Sequence, residues 1–280
     1  MIYIYSTEGY VPWAKLFLKS YKLFNNENEK IFLAGWNLSD KSIHLLKQLY
    51  DNLIIENDTS TIKELSKRYN ISKYDILKSQ KNCESDKKIG GQHRLWMNIH
   101  ADGLRIERFY KVLKSYPMEK YFLFLDVDVL FRKNIQPWID KMKISDVCIK
   151  MRMGKHLPNN EINKIILNLD NIKGDKINIS TVFINNNECG HLHVKNWVNS
   201  VNSISMEKRT KTGSKWGQYA AEVAFMKSKS SVIYHRHDVY FSDPTWQEDS
   251  PIWFFKKKNK KITYEIANNE FNKLKNRRDN

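Results

Sequence analysis

Asp126 and Asp128 stand two residues apart in Tyr121-Phe122-Leu123-Phe124-Leu125-Asp126-Val127-Asp128-Val129-Leu130-Phe131, a run that is apolar apart from its carboxylates. Read as one continuous strand, the run points residues i and i+2 to the same face, so the two carboxylates converge. A carboxylate in such surroundings is costly unless something charged compensates it. Two converging oxygen donors suit a hard divalent cation, Mn²⁺ or Mg²⁺. The competing reading is a chance Asp-x-Asp in a solvated turn, and Val129-Leu130-Phe131 directly after it speaks against that. The expectation is a metal-dependent active site.

The flanking sequence supplies the elements that would hold these carboxylates. Met1–Tyr5 alternates as a short strand, and Ser6-Thr7-Glu8-Gly9-Tyr10 follows as a turn. Trp13, Leu16, Phe17, Tyr21 and Phe24 recur at helical spacing. Lys30–Ala34 is a second strand, Ser39 or Asp40 can cap a second helix, and Leu53–Ile55 is a third strand. This β-α-β-α-β rhythm predicts an α/β domain with a mainly parallel sheet flanked by helices. Residues 58–91 are polar and end in Gly90-Gly91, which reads as an insertion or lid. Gln92 to Tyr116 is apolar at helical spacing and stops at Pro117. Later come strands near Val147–Lys150, Ile177–Asn185 and Ser231–Tyr234, and helices near His191–Val201 and Gly217–Met226.

The 280 residues fit one domain, expected over 1–255, followed by a basic tail over 256–280 with nine Lys/Arg against three Asp/Glu. No stretch reaches the roughly 20 apolar residues of a membrane span, and the opening strand has no basic n-region, so no signal peptide is expected. Cys83, Cys148 and Cys189 are scattered and odd in number, which fits a reducing cytoplasm better than a disulfide framework. The net charge of +16 attracts anions, whether nucleic acid, anionic membrane or acidic small molecules. Abundant Lys, Asn and Ile, as in AT-rich coding sequence, would account for much of this excess without a partner. The tail, beside Trp253-Phe254-Phe255, suits peripheral contact with an anionic membrane, or is simply a solvated terminal helix.

The element order and the strand-terminal Asp-x-Asp resemble the nucleotide-sugar-dependent glycosyltransferases of the GT-A (Rossmann-like) fold. Family eight, the glycogenin and lipopolysaccharide galactosyltransferase type, is most similar, and family thirty-four is also similar. The resemblance runs from Met1 to about Trp246. It implies that the turn carrying Ser6, Thr7 and Tyr10 holds base and ribose, and Ser20 also fits. It implies a basic residue on the helix before the Asp-x-Asp: Arg108, or Arg105 one turn earlier, either able to hydrogen-bond sugar or phosphate as a fork; an exposed helical Arg is the alternative. Asp128 would bind Mn²⁺ directly, with Asp126 on metal or ribose. Asn178, in Asn178-Ile179-Ser180-Thr181-Val182, resembles the start of the sugar-pocket strand, with Thr181 where the family has a small residue; Asn at a strand start is also ordinary turn chemistry. His235 or His237 would be a further metal ligand.

In Trp216-Gly217-Gln218-Tyr219-Ala220-Ala221-Glu222, Gln218 matches the family pattern while Gly217 replaces its Asp. That leaves Glu222 as the nearest acidic group, either a general base for an acceptor hydroxyl, which would favour inversion, or a structural salt-bridge residue. The implied activity is transfer of a sugar from a nucleotide-diphospho-sugar, UDP-linked by the resemblance, to a saccharide or lipid-linked hydroxyl acceptor. A nucleotide-sugar-forming nucleotidyltransferase would use a Gly-rich phosphate turn after the first strand, and Ser6–Tyr10 has only Gly9. A non-enzymatic binder of anionic surfaces or nucleic acid would leave the paired Asp unexplained. No recognition-helix or stacking signature is visible, so no nucleic acid is expected.

Overall fold

Alternating apolar side chains build a sheet buried on both faces. The computed structural model describes residues 1–59, 64, 66, 67, 72, 104–151, 177–204, 216–228, 231, 234–236, 242, 243, 246, 248–255 and 260–279. The first half runs β1 (Ile2–Thr7), a 3-10 turn (Glu8–Tyr10), α1 (Val11–Phe24), β2 (Ile31–Trp36), α2 (Asp40–Lys47), β3 (Leu53–Asp58), α3 (Arg105–Ser115) and β4 (Tyr121–Leu125). Then follow β5 (Val129–Phe131), α4 (Gln136–Met142), β6 (Val147–Met151), β7 (Ile177–Asn185), α5 (Glu188–Ser203) and α6 (Trp216–Ser228). The described chain closes with β8 (Tyr234–Arg236), β9 (Ser242–Asp243), β10 (Ile252–Phe254) and α7 (Lys260–Asp279).

Among the described residues the main sheet has seven strands in the order β3-β2-β1-β4-β7-β6-β8, and only β7 runs against the rest. Ile2, Ile4, Ile31, Leu33, Leu123 and Leu125 face a core shared with α1 and α7. Tyr3, Phe32, Ala34, Phe122 and Phe124 face a second core shared with α3, α5 and α6. Helices on both faces explain why these strands read as nearly unbroken apolar runs. Strands β2 and β3 lie to one side of β1 and β4 to the other, so the order reverses between β1 and β4, where open α/β sheets form a crevice at the carboxyl ends of their strands.

One expectation is corrected. The run 121–131 is not one strand: β4 ends at Leu125, and β5 joins a separate sheet of order β5-β10-β9. The physical reason is a change of partners. Leu125 pairs with Ile4 and Thr181, whereas the Asp128 carbonyl accepts the Phe255 N–H and β5 pairs with β10. Asp126 and Asp128 therefore occupy a bend, and strand alternation does not govern their side chains.

Of the strand expected over Ser231–Tyr234, Ser231 is in a turn, residues 232 and 233 lie outside the described residues, and Tyr234 opens β8, which sets His235 opposite Cys148 of β6. The segment expected as a tail carries α7. Its Ala267 and Phe271 are buried in the first core, Tyr264 packs edge-on against Trp13 at 5.3 Å, and Glu270 lies 3.4 Å from the Arg132 guanidinium. Most of the segment 58–91, and His237, lie outside the described residues.

His193 of α5 is buried against Trp197, and burial pushes its imidazole down from 6.5 to about 3. The fold thus holds it neutral, while an unfolded chain takes up a proton below 6.5. Its stability contribution is complete above 6.5 and drains as pH falls from there towards 3. Urea unfolding is expected to show a loss approaching roughly 1.4 kcal/mol per pH unit from this group, and His193→Gln should flatten that slope.

Candidate active site

The carboxyl end of β1 is held by a carboxylate rather than by a glycine-rich turn. Glu8 accepts hydrogen bonds from the Ser39 N–H at 2.9 Å, the Ser39 hydroxyl at 3.1 Å and the Ser42 hydroxyl at 2.7 Å. Ser39 is also the cap of α2, accepting the Ser42 N–H. Burial pushes the Glu8 carboxyl up, but hydrogen bonds from Ser42 and Ser39 outweigh it and hold it below the usual carboxylate range. The turn is thus tied to α2, with Thr7 and Tyr10 half-buried beside it. Ser6 is buried and donates to the Thr7 carbonyl. Ser20 lies inside the core instead, where its hydroxyl donates to the Phe17 carbonyl and accepts the Phe131 N–H, linking α1 to β5.

Arg105 and Arg108 sit one helical turn apart on α3 and part ways. Arg105 places Nη1 2.7 Å from Asp126 Oδ1, and its guanidinium carbon lies 5.1 Å from the centre of the Phe124 ring. The Arg105 carbonyl accepts the Tyr3 hydroxyl at 2.8 Å, which pins the start of α3 to β1. Arg108, expected at the donor, is buried and donates to the carbonyls of Gly35 and Glu56, with the Glu56 carboxylate at 3.4 Å. Its guanidinium ties α3 to the ends of β2 and β3, so Arg105 is the basic residue that meets the Asp-x-Asp.

On the other side of β4, the Asp126 N–H donates to the Ser180 carbonyl at 2.9 Å. The pairing of β6 with β7 slips here, from Ile149 opposite Val182 to Lys150 opposite Asn178. Irregularities of this kind re-aim side chains and recur beside functional sites. Asn178 Oδ1 accepts the Ser180 N–H at 2.9 Å, which shapes the slipped segment. The Ser180 hydroxyl is buried without a hydrogen-bond partner. Asp128 is buried and Asp126 half-buried, so both carboxylates are largely withdrawn from water.

Gln218 and Glu222 lie on α6. Gln218 is buried, and its Oε1 has no hydrogen-bond partner. Glu222 is 0% exposed, and its Oε1 accepts the Ile177 N–H at 3.2 Å, which tethers α6 to the start of β7. This enclosed and tethered carboxylate is the one that the sequence singles out as a candidate general base. Among the described residues no three His, Cys, Asp or Glu side chains gather where they could hold a metal ion. Two carboxylates alone match the hard-oxygen chemistry of Mn²⁺ or Mg²⁺, with further ligands left to histidine or to a bound diphosphate. Arg105, Ser180 and Glu8 are the site-side residues that sequence reasoning did not assign first. Arg105 alone carried a signal, its place one turn before Arg108.

No protein-family model and no curated protein matches the sequence. Among solved structures, the chain is similar to mouse xyloside xylosyltransferase 1 in its apo form, with a TM-score of 0.51 and 10% identity over 92% of this chain and 98% of that one. It is also similar to the galactosyltransferase LgtC in complex with donor and acceptor sugar analogues, with a TM-score of 0.50 and 12% identity over 98% of this chain and 94% of that one. At such identities the likeness defines the fold, which is that of the GT-A glycosyltransferases.

Replacing Glu222 with Leu leaves the Ile177 N–H without its acceptor and is expected to cost about 1–3 kcal/mol in urea unfolding, while Glu222→Gln keeps an acceptor and should stay within about 1 kcal/mol of the parent. Arg105→Ala removes a charge-assisted bond and is expected to cost about 1.5–3 kcal/mol in the same measurement.

Proposed function

We propose that the chain is a glycosyltransferase that takes a nucleotide-diphospho-sugar, UDP-linked in the simplest case, and passes the sugar to a hydroxyl of a glycan, polysaccharide or lipid-linked saccharide. The observation that carries this reading is the position of Asp126 and Asp128. They lie in the bend that follows β4, beside the order reversal of a sheet shared with two sugar transferases.

A divalent ion fits the donor chemistry of this bend. Asp126 and Asp128 would hold Mn²⁺ or Mg²⁺, with His235 or His237 as a further donor. When bound, the ion supplies charge that neutralises the diphosphate as a leaving group. The remaining work falls to the protein's own groups. Ser6, Thr7 and Tyr10 line the end of β1 and suit the base and ribose. Arg105 orients Asp126 and brings a fixed fork of donors to the mouth of the site. Asn178 and the unpartnered atoms Ser180 Oγ and Gln218 Oε1 suit sugar hydroxyls, because a buried polar atom without a partner gains most from a ligand that supplies one. Holding donor and acceptor in register then provides much of the rate enhancement.

Hydrolysis of a panel of UDP- and GDP-sugars, with and without Mn²⁺, tests this reading. Turnover of at least one donor is expected, with Asp128→Ala lowering it about a hundredfold or more. No turnover across the panel, or undiminished metal-dependent turnover by Asp128→Ala, rejects it.

A further inference from the structure

The end of the sheet remote from Asp126 carries a surface that the candidate site does not use. Strand β4 enters there at Tyr121, opposite Asn185, and reaches Leu125, opposite Thr181, at the other end. Five residues of strand span roughly 17 Å. Two loops cover this remote end, and two consecutive asparagines hold them. Asn186 Nδ2 donates to the carbonyls of Tyr116 at 3.1 Å, Pro117 at 3.3 Å and Glu119 at 2.7 Å. Asn185 Nδ2 donates to the carbonyls of Lys143 at 3.0 Å and Ser145 at 2.7 Å. The loops are therefore clamped side by side.

Their tips are apolar and open to water. Met118 is 91% exposed and Ile144 71% exposed, and Leu192 on nearby α5 is 36% exposed. A cavity of about 500 Å³ lies against this end, lined in part by Tyr110, Pro117, Asn186, His191, Leu192 and Lys195. Single exposed aliphatics are ordinary, but two on rigidly clamped neighbouring loops form a patch. Its border is basic, with Lys114, Lys120, Lys141 and Lys195 exposed. Most acids nearby are engaged. Glu119 pairs with Lys30 and the Met1 amino group, Asp140 with Lys143, and Asp146 accepts the Asn187 amide. Glu188 is the exposed exception.

We infer that this end of the molecule docks on an anionic lipid bilayer, with Met118 and Ile144 entering the headgroup layer and the lysines facing lipid phosphates. Charge complementarity selects this occupant, because apolar tips ringed by lysine combine the two attractions that hold peripheral proteins on anionic lipid. Helix α7, the membrane contact expected from sequence, has already committed Ala267 and Phe271 to the core and exposes one aliphatic, Ile266, far less than Met118 or Ile144. Docked at the remote end, the molecule turns its candidate site away from the bilayer. The docking itself does not depend on the sugar-transfer reading.

Co-sedimentation with vesicles of phosphatidylcholine alone, and of phosphatidylcholine and phosphatidylglycerol in equal amounts, tests the inference. Binding is expected to the mixed vesicles, to weaken with salt, and to be much lower on phosphatidylcholine alone. Met118→Asp with Ile144→Asp should lower partitioning about tenfold or more. It should leave donor hydrolysis in the absence of lipid and the melting temperature as in the parent, since both side chains are exposed. A variant of α7 with Lys273, Lys275, Arg277 and Arg278 all changed to Gln should lose far less. No binding to mixed vesicles overturns the inference, as does binding that falls only with the α7 changes. A lipid-independent dimer abolished by the paired Asp changes also overturns it, and marks the patch as a contact between two copies of the chain.

Discussion

The Arg105 guanidinium meets Asp126 at 2.7 Å where β4 leaves the sheet, and this contact joins elements far apart in sequence. The carbonyl of Arg105 accepts the Tyr3 hydroxyl from β1, and the N–H of Asp126 donates to Ser180 of β7. One short stretch thereby couples α3, β1, β4 and β7. Both side chains are mostly shielded, so the pair is less screened than a surface salt bridge. A carboxylate at the end of an apolar strand needs such compensation, and the fold provides it before any ligand arrives.

The bend after Asp126 is enforced from the opposite side as well. The Phe255 N–H donates to the Asp128 carbonyl, and the Phe131 N–H donates to Ser20 of α1. Asn25, at the end of α1, accepts the Ile135 N–H, so the same helix holds both ends of the segment that follows. Phe131 in turn packs edge-on against Phe17 and Tyr21. The second small sheet is thus an anchored continuation of the chain beyond the Asp-x-Asp, sharing the first core, and the two carboxylates sit where the chain passes from one sheet to the other. Helix α7 closes that side, with Glu270 reaching Arg132, whose guanidinium carbon also lies 3.7 Å from the centre of the Trp253 ring.

Opposite this junction, polarity is distributed unevenly. Buried Glu222 and Arg108 each bond backbone groups of neighbouring strands and serve as tethers. Ser180 Oγ and Gln218 Oε1 are buried with none spent. Buried polar atoms are usually satisfied, because an unmade hydrogen bond away from water is expensive. One of these atoms lies on the slipped segment of β7 and the other on α6.

Sequence by itself determined the layers and most of the elements. Period-2 and period-3.6 patterns report which side of a segment is apolar, and that is a local property that survives without knowledge of partners. The cap at Ser39, the strand around Ile177–Asn185 and the α/β sheet with a carboxylate pair next to β4 were all legible in this way. Three matters were decided only by tertiary structure. Helical spacing puts Arg105 and Arg108 on one face, but only the docking of α3 sends the first to Asp126 and the second to the carbonyls of β2 and β3. An apolar run of eleven residues looks continuous until Leu125 and Val129 find different strands to pair with. The burial of Glu222 depends on everything packed around it and is written in no neighbouring residue.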